Sequence, residues 1–242
     1  MHPLAPSRIV EAATSLLYPA TCVVCAANVE RSQYLCGACS ERAPRIAPPF
    51  CAKCSEPFPG AITQTFSCAN CEHRNLHFDC AVAAYRSRGL VRNVLHQFKY
   101  GKQRHLRHPI AKWLGESLDD PRLRGRHFDL VVPVPLHSTR ERERGFNQAA
   151  LLAEGLASSA AIPLRPVLER IRYTTTQTAY DRAERMENLH GAFRLRKNED
   201  VRELHVLLID DVLTTGSTLS ECARILRAAG AVSVHAATAA RA

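Results

Sequence analysis

The chain has 242 residues, with 32 basic and 23 acidic side chains and a formal net charge of +9. This length is enough for a substantial core and favours more than one domain. The basic excess favours a phosphorylated or polyanionic ligand and is also compatible with solubility alone, while the absence of a long apolar run excludes a predicted membrane span.

The N-terminal segment 9–17 is mildly apolar and is the first predicted element. Glu11 interrupts it, only Arg8 precedes it, and no small-residue cleavage site follows, so the pattern does not predict a signal peptide. We therefore expect a short amphipathic helix here and a cytoplasmic protein.

Eight of the ten cysteines form four C-x-x-C pairs in the first third of the chain. The pairs are Cys22/Cys25, Cys36/Cys39, Cys51/Cys54 and Cys68/Cys71. A C-x-x-C turn holds two thiolates at the separation that a tetrahedral ion needs, so two such sets predict two structural Cys₄ zinc sites. We expect the pairs to combine in sequence, because the short gaps close each site at small cost in loop entropy.

Other uses of these cysteines are less consistent with the pattern. Disulfides are disfavoured without a secretion signal, and iron–sulfur ligation is the other metal option. His73 and His77 lie near the last pair and are alternative ligands, although the cysteine set is already complete. We expect a zinc-binding domain over residues 1–77, which unfolds alone when metal is removed, and a second domain over residues 78–242.

The second predicted domain begins with a strand over 78–85 and a basic segment. No acid occurs from Cys80 to Gly115, and two apolar patterns at helical spacing predict two amphipathic helices. Basic groups and interleaved aromatics are typical of a single-stranded nucleic-acid surface, for which Arg92, Lys99 and Lys102 are the candidates. The alternative is a solvated helix face with its aromatics in the core.

Residues 129–134 predict a buried strand that ends in a polar loop bearing Arg140, and a helix follows from about Ala149. Such a loop at the carboxyl edge of a sheet is typical of an anion site. The polar, hydroxyl-rich segment 170–188 is consistent with a lid over a charged ligand or with an exposed hairpin.

The most informative stretch runs from Val206 to Ser220. Four apolar residues, Val206 to Ile209, predict a buried parallel strand, and Asp210 and Asp211 follow at its carboxyl end. Next comes a small polar loop, which consists of Thr214, Thr215, Gly216, Ser217 and Thr218. A helix follows and ends near Gly230.

This loop and helix offer backbone N–H groups and hydroxyls to a phosphate, whereas the two carboxylates suit sugar hydroxyls or Mg²⁺. The sequence therefore predicts a ribose 5-phosphate site. The alternative is that the acids cap a turn and Ser217 caps the helix.

The string I-D-D-V-L-T-T-G-S-T resembles the phosphoribosyl-pyrophosphate (PRPP) motif of type I phosphoribosyltransferases. Nearly the full chain resembles the ComF family of bacterial competence proteins. The strings that carry this resemblance are the C-x-x-C pairs, F-K-Y-G (98–101), V-P-V-P-L-H (132–137), R-E-R-G-F-N-Q-A (142–149), R-Y-T-T-T-Q (172–177), R-x-x-N-L-x-G-A-F (185–193) and the Asp-pair motif.

The resemblance implies an α/β, type I phosphoribosyltransferase fold behind a double zinc ribbon. It implies that Asp210 and Asp211 position the ribose, that the loop 214–218 binds the 5-phosphate, and that Arg140 and Arg144 are candidate contacts for pyrophosphate. It also implies a role in natural transformation, in which the chain handles internalised single-stranded DNA.

Two hypotheses follow for the function. The first is a phosphoribosyltransferase that uses PRPP with Mg²⁺ and an acceptor that the sequence does not identify. The second is a non-catalytic module with a PRPP-sensing or relic site, which binds DNA or other DNA-uptake or recombination proteins. A redox protein that uses C-x-x-C thiols is a distant third, and a metal-free, disulfide-bonded preparation would favour it.

Overall fold

A computed structural model describes residues 19–30, 33–61, 66–173 and 189–242. The chain forms two compact units, Met1–Ala43 and Pro44–Ala242. The larger unit contains the second set of cysteines, while the domain boundary at 77/78 stays a prediction. The helix predicted over 9–17 and most of the lid predicted over 170–188 lie outside the described residues.

The described part of the first unit is organised around the first two C-x-x-C pairs. An antiparallel bridge joins Thr21 to Asn28, and helix α1 runs over Gly37–Glu41. Ala26 adopts a left-handed φ of 59° directly after the first pair, and its N–H donates to the carbonyl of Cys22 at 2.9 Å. This bond closes a tight turn between the two cysteines of the pair.

The second unit opens with the same turn. Ser55 has a φ of 59°, and its N–H donates to the carbonyl of Cys51 at 2.9 Å. Helix α2, Ala69–Glu72, follows Cys68 as α1 follows Cys36. We call the described residues 19–43 the first ribbon and residues 50–77 the second ribbon.

A four-stranded parallel sheet forms the centre of the second unit and confirms the α/β class. Its strands are β1 (Ala81–Arg86), β2 (Leu130–Pro133), β5 (His205–Leu213) and β6 (Ser233–Arg241), in the order β1-β6-β5-β2. A separate antiparallel pair consists of β3 (Leu168–Arg170) and β4 (Phe193–Leu195). Residues 206–209 of β5 are fully buried, as a parallel strand covered on both faces requires.

The helices of this unit follow the predicted apolar spacing. They are α3 (Gly89–Tyr100), a 3₁₀ turn (Arg104–Leu106), α4 (Arg107–Ser117), α5 (Ser138–Arg144), α6 (Gln148–Ala160) and α7 (Ser217–Ala228). The apolar positions 91, 94, 95 and 98 of α3 are all buried. None of the described helices has the length and apolarity that crossing a membrane requires.

The structure corrects two predicted boundaries near the loops for which ligand binding is predicted. β5 continues to Leu213 because its ladder with β6 extends through Asp210, opposite Thr238, so both acids lie within the strand. The polar stretch after β2 is the short helix α5 where a loop was predicted. The ring of His137 accepts a hydrogen bond from the N–H of Thr139 at its start, and Gly145 ends it with a φ of +81°.

Candidate functional site

The acid pair forms the centre of the site. The N–H of Asp211 donates to the Asp210 carboxylate at 2.8 Å, and the Asp211 carboxylate pairs with the Nζ of Lys99 at 3.0 Å. Lys99 lies at the end of α3, and its side chain is 23% exposed, against 8% for Asp211. The ion pair is therefore shielded from solvent and joins α3 to the central strand.

These surroundings raise the pKa values of both Asp210 and Lys99. Burial and the adjacent Asp211 raise the pKa of Asp210 to about 7, and Lys99 offsets part of that effect. Burial lowers the pKa of Lys99, but the charges of Asp211 and Asp210 outweigh it and hold that pKa above its usual value. Lys99 is a cation at neutral pH, and an added cation such as Mg²⁺ would favour the ionised form of Asp210.

The hydroxyl-rich loop follows β5 and leads into α7. Gly216 takes a left-handed φ of +77° at the N-cap of this twelve-residue helix and, as a glycine, offers no capping side chain. The N–H of Ser217 makes a long bond of 3.4 Å to the Thr215 hydroxyl, and the N–H groups at the start of a helix are typical anion ligands. The hydroxyls of Thr215 and Ser217 lie 2.9 Å apart. A Cβ at position 216 would meet the Phe78 ring at 3.4 Å. Glycine therefore allows both the left-handed backbone at this position and the close packing of Phe78 against it.

Arg140 and Arg144 lie four residues apart on α5, so they share one face of that helix. They border a cavity of about 320 Å³. Its other lining residues are Lys99, Tyr100, Lys102, Glu143 and Tyr173. The Cζ of Arg140 stands 5.5 Å from the centre of the Tyr173 ring, and that of Arg144 stands 5.1 Å from the Tyr100 ring. The cavity is thus cationic with two aromatic rings.

The structure adds residues that the sequence analysis did not assign to the site. Arg170 on β3 is one, because it interacts electrostatically with both Arg140 and Asp210; burial and the Arg140 charge lower its pKa, and the Asp210 charge offsets only part of that effect. Its guanidinium also lies 5.2 Å from the Phe193 ring centre. Asn70 and Arg74 of the second ribbon contact the 214–218 loop. Lys99 was predicted only as part of the basic segment and of the F-K-Y-G string, and neither pattern predicted its pairing with Asp211.

The three residues predicted for nucleic-acid binding lie in different surroundings. Arg92 and Lys102 are exposed, whereas Lys99 is the ion-pair partner of Asp211. Lys102 lines the cationic cavity, and Arg92 does not. A role of these side chains in DNA binding stays a prediction.

The eight paired cysteines form two clusters in sequence, as predicted. One cluster consists of Cys22, Cys25, Cys36 and Cys39, and the other of Cys51, Cys54, Cys68 and Cys71, with all sulfurs of a cluster within 4.8 Å of one another. A tetrahedral zinc ion with Zn–S bonds of about 2.3 Å places its sulfurs roughly 3.8 Å apart. The observed distances of 3.6 Å between Cys25 and Cys36 and 3.5 Å between Cys54 and Cys68 fit that geometry, so the clusters suit about two structural zinc ions.

Comparison with known proteins agrees with this architecture. Residues 13–72 match the model of the double zinc ribbon domain, and residues 146–242 match the phosphoribosyl transferase domain. Competence protein F of Haemophilus influenzae is 31% identical over 218 residues, which cover 86% of this chain and 91% of that protein. The DNA utilization protein YhgH of Salmonella typhimurium is 32% identical over 224 residues, or 91% of this chain and 96% of that one.

Among solved structures, the glutamine PRPP amidotransferase from B. subtilis complexed with ADP and GMP is 23% identical. It covers 55% of this chain and 26% of its own with a TM-score of 0.37, a likeness too low to carry an argument. The identity over most of both chains carries the assignment instead, together with the two matched domains. The chain belongs to the ComF family of competence proteins, in which a double zinc ribbon precedes a type I phosphoribosyltransferase fold.

Proposed function

We propose that this chain binds PRPP with Mg²⁺ and that it serves natural transformation, as the names of its relatives indicate. The observation that carries the proposal is the acid pair on β5, which leads directly into the 214–218 loop and the start of α7. The acid pair suits the ribose hydroxyls, and the loop beside it suits a phosphate, which are the two polar parts of a ribose 5-phosphate.

Each part of the ligand has a complementary group. The 5-phosphate accepts from the loop hydroxyls and from the first N–H groups of α7, where the helix dipole favours an anion. Asp210 and Asp211 accept from the ribose hydroxyls and would hold Mg²⁺, which supplies counter-charge to the pyrophosphate. Arg140 and Arg144, which line the cationic cavity, bind the pyrophosphate.

The same arrangement suits phosphoribosyl transfer. The bond from the ribose C1 to pyrophosphate breaks, its electron pair leaves with the pyrophosphate, and an acceptor nucleophile bonds to C1. Positive charge on the ribose ring is stabilised by the two carboxylates, while the arginines on α5 stabilise the departing pyrophosphate. Lys99 would give up part of its ion pair with Asp211 when the ribose hydroxyls bind that carboxylate.

Calorimetry with Asp210→Asn and Asp211→Asn tests the ribose site. Asparagine keeps the size but removes the charge, and a charge-assisted hydrogen bond contributes about 1.5–3 kcal/mol, so PRPP affinity should fall about tenfold or more. Inorganic phosphate should bind as well as before, because it does not use the diol contacts. Asp200→Asn, an exposed change paired with Arg202, is the control and should alter neither ligand.

Two results would contradict this assignment. Equal weakening of PRPP and phosphate would mean that the acids only hold the shape of the loop. No change for either ligand would mean that no ribose phosphate binds here.

Incubation with PRPP, Mg²⁺ and a panel of nucleobases separates an enzyme from a binding module. Pyrophosphate release that depends on one base supports the transferase. Tight PRPP binding without release with any base supports the module that senses PRPP.

A second candidate function, single-stranded DNA binding, is favoured by the exposed aromatics at the cationic cavity. Tyr100 is 60% exposed and Tyr173 is 43% exposed, and each has an arginine beside its ring. Such pairs offer stacking surfaces to bases, and Lys102 adds charge for the phosphates. We propose that a DNA strand lies across the mouth of this cavity.

The salt dependence of DNA affinity tests this surface together with Arg92, an exposed residue of the same basic segment that lies outside the cavity lining. The logarithm of affinity should fall linearly with the logarithm of salt concentration, and Arg92→Glu with Lys102→Glu should flatten the slope. Tyr100→Ala should weaken DNA binding by about 1–3 kcal/mol, the contribution of one stacked base, and should leave the salt slope unchanged. Lys197→Glu, a single charge reversal outside the basic segment, is the control for each of the two replaced side chains. An unchanged slope in the double variant would assign Arg92 and Lys102 to ordinary surface.

A further inference from the structure

The second ribbon contacts the predicted phosphate loop directly. Two ribbon side chains bind the carbonyl of Thr215: Asn70 Nδ2 donates at 3.2 Å and Arg74 Nη1 at 2.7 Å. The other nitrogen of the guanidinium, Nη2, donates to the hydroxyl of Ser217 at 2.9 Å. The second ribbon thus binds both residues that flank Gly216, Thr215 and Ser217.

The zinc cluster fixes where these two side chains lie. Asn70 belongs to α2, between the cluster residues Cys68 and Cys71, and Arg74 follows Cys71 by three residues. The side-chain oxygen Oδ1 of Asn70 accepts a hydrogen bond from Arg74 Nη1 at 2.8 Å, which orients the guanidinium. A helix of four residues has little stability of its own, so its position depends on the metal that its cysteines hold.

Two further contacts bind the end of the ribbon to the same loop and helix. The N–H of His77 donates to the buried hydroxyl of Ser220 on α7 at 3.1 Å. The ring of Phe78, directly after the ribbon, approaches Gly216 and belongs to one hydrophobic cluster with Leu213 and Leu219, which flank the loop. The loop therefore rests on the ribbon and the residue that follows it.

These bonds prepare the loop for an anion. The Thr215 carbonyl faces the ribbon and is neutralised there, whereas a carbonyl turned toward a phosphate would repel it. Arg74 can only donate, so it occupies a lone pair of the Ser217 hydroxyl and leaves that hydroxyl to act as a donor. The guanidinium also places a positive charge next to the site that receives the phosphate.

We infer that the second ribbon is a structural part of the ribose-phosphate site, in which Arg74 is a positioning residue that couples the two. Zinc at Cys51, Cys54, Cys68 and Cys71 and a ribose phosphate in the 214–218 loop then stabilise each other. The inference rests on the proposed function, because it needs the loop to bind a ribose phosphate.

Thermodynamic linkage makes the coupling reciprocal and measurable from the zinc side. A ligand that binds only the intact site protects it by a factor of about 1 + [L]/Kd. At a ligand concentration of about 100 Kd, zinc release from the second cluster should slow by at least tenfold. The first cluster provides an internal reference, because it lies in the other compact unit.

The experiment follows zinc release from the full chain to a chromogenic chelator, with and without ribose 5-phosphate. Calorimetry first gives the affinity of the wild-type chain for this ligand. Cys25→Ser removes a ligand of the first cluster, and so identifies the release phase that belongs to the second. The expected result is that ribose 5-phosphate slows that phase alone.

Arg74→Met tests the coupling residue. The variant should still hold two zinc ions, but ribose 5-phosphate should bind about tenfold more weakly and should slow zinc release little relative to the same variant without ligand. Arg74→Lys keeps the charge and can reach one of the two loop acceptors, so it should restore part of the protection. Arg165→Met is the control, because Arg165 likewise donates both to a side chain and to a backbone carbonyl, but away from the 214–218 loop.

The outcomes separate this inference from the proposed function. If the wild-type chain binds neither ribose 5-phosphate nor PRPP, the proposed function and the coupling both fall. If the ligand binds but leaves the second zinc unprotected, or if Arg74→Met keeps full protection, the coupling alone is overturned. If Arg74→Met does not fold, Asn70→Ala serves in its place, since it removes one bond to Thr215 and the support of Arg74.

Discussion

The two ribbons have the same local geometry in different surroundings. In each, the residue after the first C-x-x-C pair is left-handed and donates to the carbonyl of the pair's first cysteine at 2.9 Å. In each, a short helix starts after the first cysteine of the second pair. The repeat in the sequence is therefore a repeat in backbone structure.

The surroundings differ in how much of each cluster is buried. All four cysteines of the second cluster are at most 7% exposed, and they belong to one hydrophobic cluster with Leu76, Phe78 and the buried residues on one face of the sheet. In the first cluster Cys25 is exposed and Cys36 is half-buried. The same ligand pattern thus forms a metal site in a small unit of its own and another within the core of the larger unit.

The largest expected effect comes from removing one ligand of each cluster. Cys54→Ser and Cys25→Ser should each leave about one zinc ion. Structural zinc contributes on the order of 10–16 kcal/mol to small metal domains, so losing it from the core should cost Cys54→Ser more than about 5 kcal/mol. The main thermal transition should fall by about 10 °C or more, whereas Cys25→Ser should shift it by less than about 2 °C.

Zinc analysis and calorimetry check this difference. It departs from the sequence-based expectation that metal loss unfolds only the N-terminal third, because the second cluster shares its core with the sheet. Equal shifts for the two variants would show that the packing of the second cluster contributes nothing beyond its metal.

A smaller effect is expected at Phe78, which joins the second ribbon to the core and is 1% exposed. Phe78→Ala should reduce the free energy of unfolding by about 3–5 kcal/mol, because it leaves a cavity in a packed core. The zinc content should stay near two. Urea unfolding measures the loss, and Val24→Ala in the first ribbon, where the side chain is 40% exposed, should change stability by less than about 0.5 kcal/mol. A loss below 1 kcal/mol for Phe78→Ala would contradict the shared core.

The smallest effect is expected at Arg122, which holds the Cys51–Cys54 turn from outside. It donates to the carbonyls of Cys51 and Ala52 and to the Ser55 hydroxyl, and it pairs with Asp120. Arg122→Met should cost about 1.5–3 kcal/mol, as expected for hydrogen bonds to a charged group. Zinc should leave the second cluster several-fold faster and the first cluster at the wild-type rate.

The chain offers a matched control for that change. Arg202 pairs with Asp200 through the same D-x-R spacing and the same backbone N–H bond, but both side chains are more than half exposed. Arg202→Met should therefore change stability by less than about 1 kcal/mol. If the two variants lose equal stability, the contacts of Arg122 with the second ribbon contribute nothing measurable to the free energy of unfolding.

Local patterns in the sequence were sufficient for much of the fold. The spacing of the cysteines predicted two Cys₄ clusters closed in sequence, and apolar periodicity predicted α3, with its four apolar positions buried. The run from Val206 to Ser220 predicted a buried strand, a loop and a helix, and Gly230 indeed follows the end of α7 with a φ of +97°. These features depend on residues close together in the chain, which is why the sequence alone determined them.

The tertiary structure decided which distant groups meet. Arg74 and the Thr215 carbonyl are separated by 141 residues, and no short pattern relates an arginine after a C-x-x-C pair to a phosphate loop. In the sequence, nothing distinguishes Lys99 from the other basic residues of its segment. It becomes the ion-pair partner of Asp211 only because the fold brings the end of α3 to β5. The continuation of β5 through the acids likewise depends on its ladder with β6. Long-range packing fixes these contacts, and it leaves no periodic signal in the sequence.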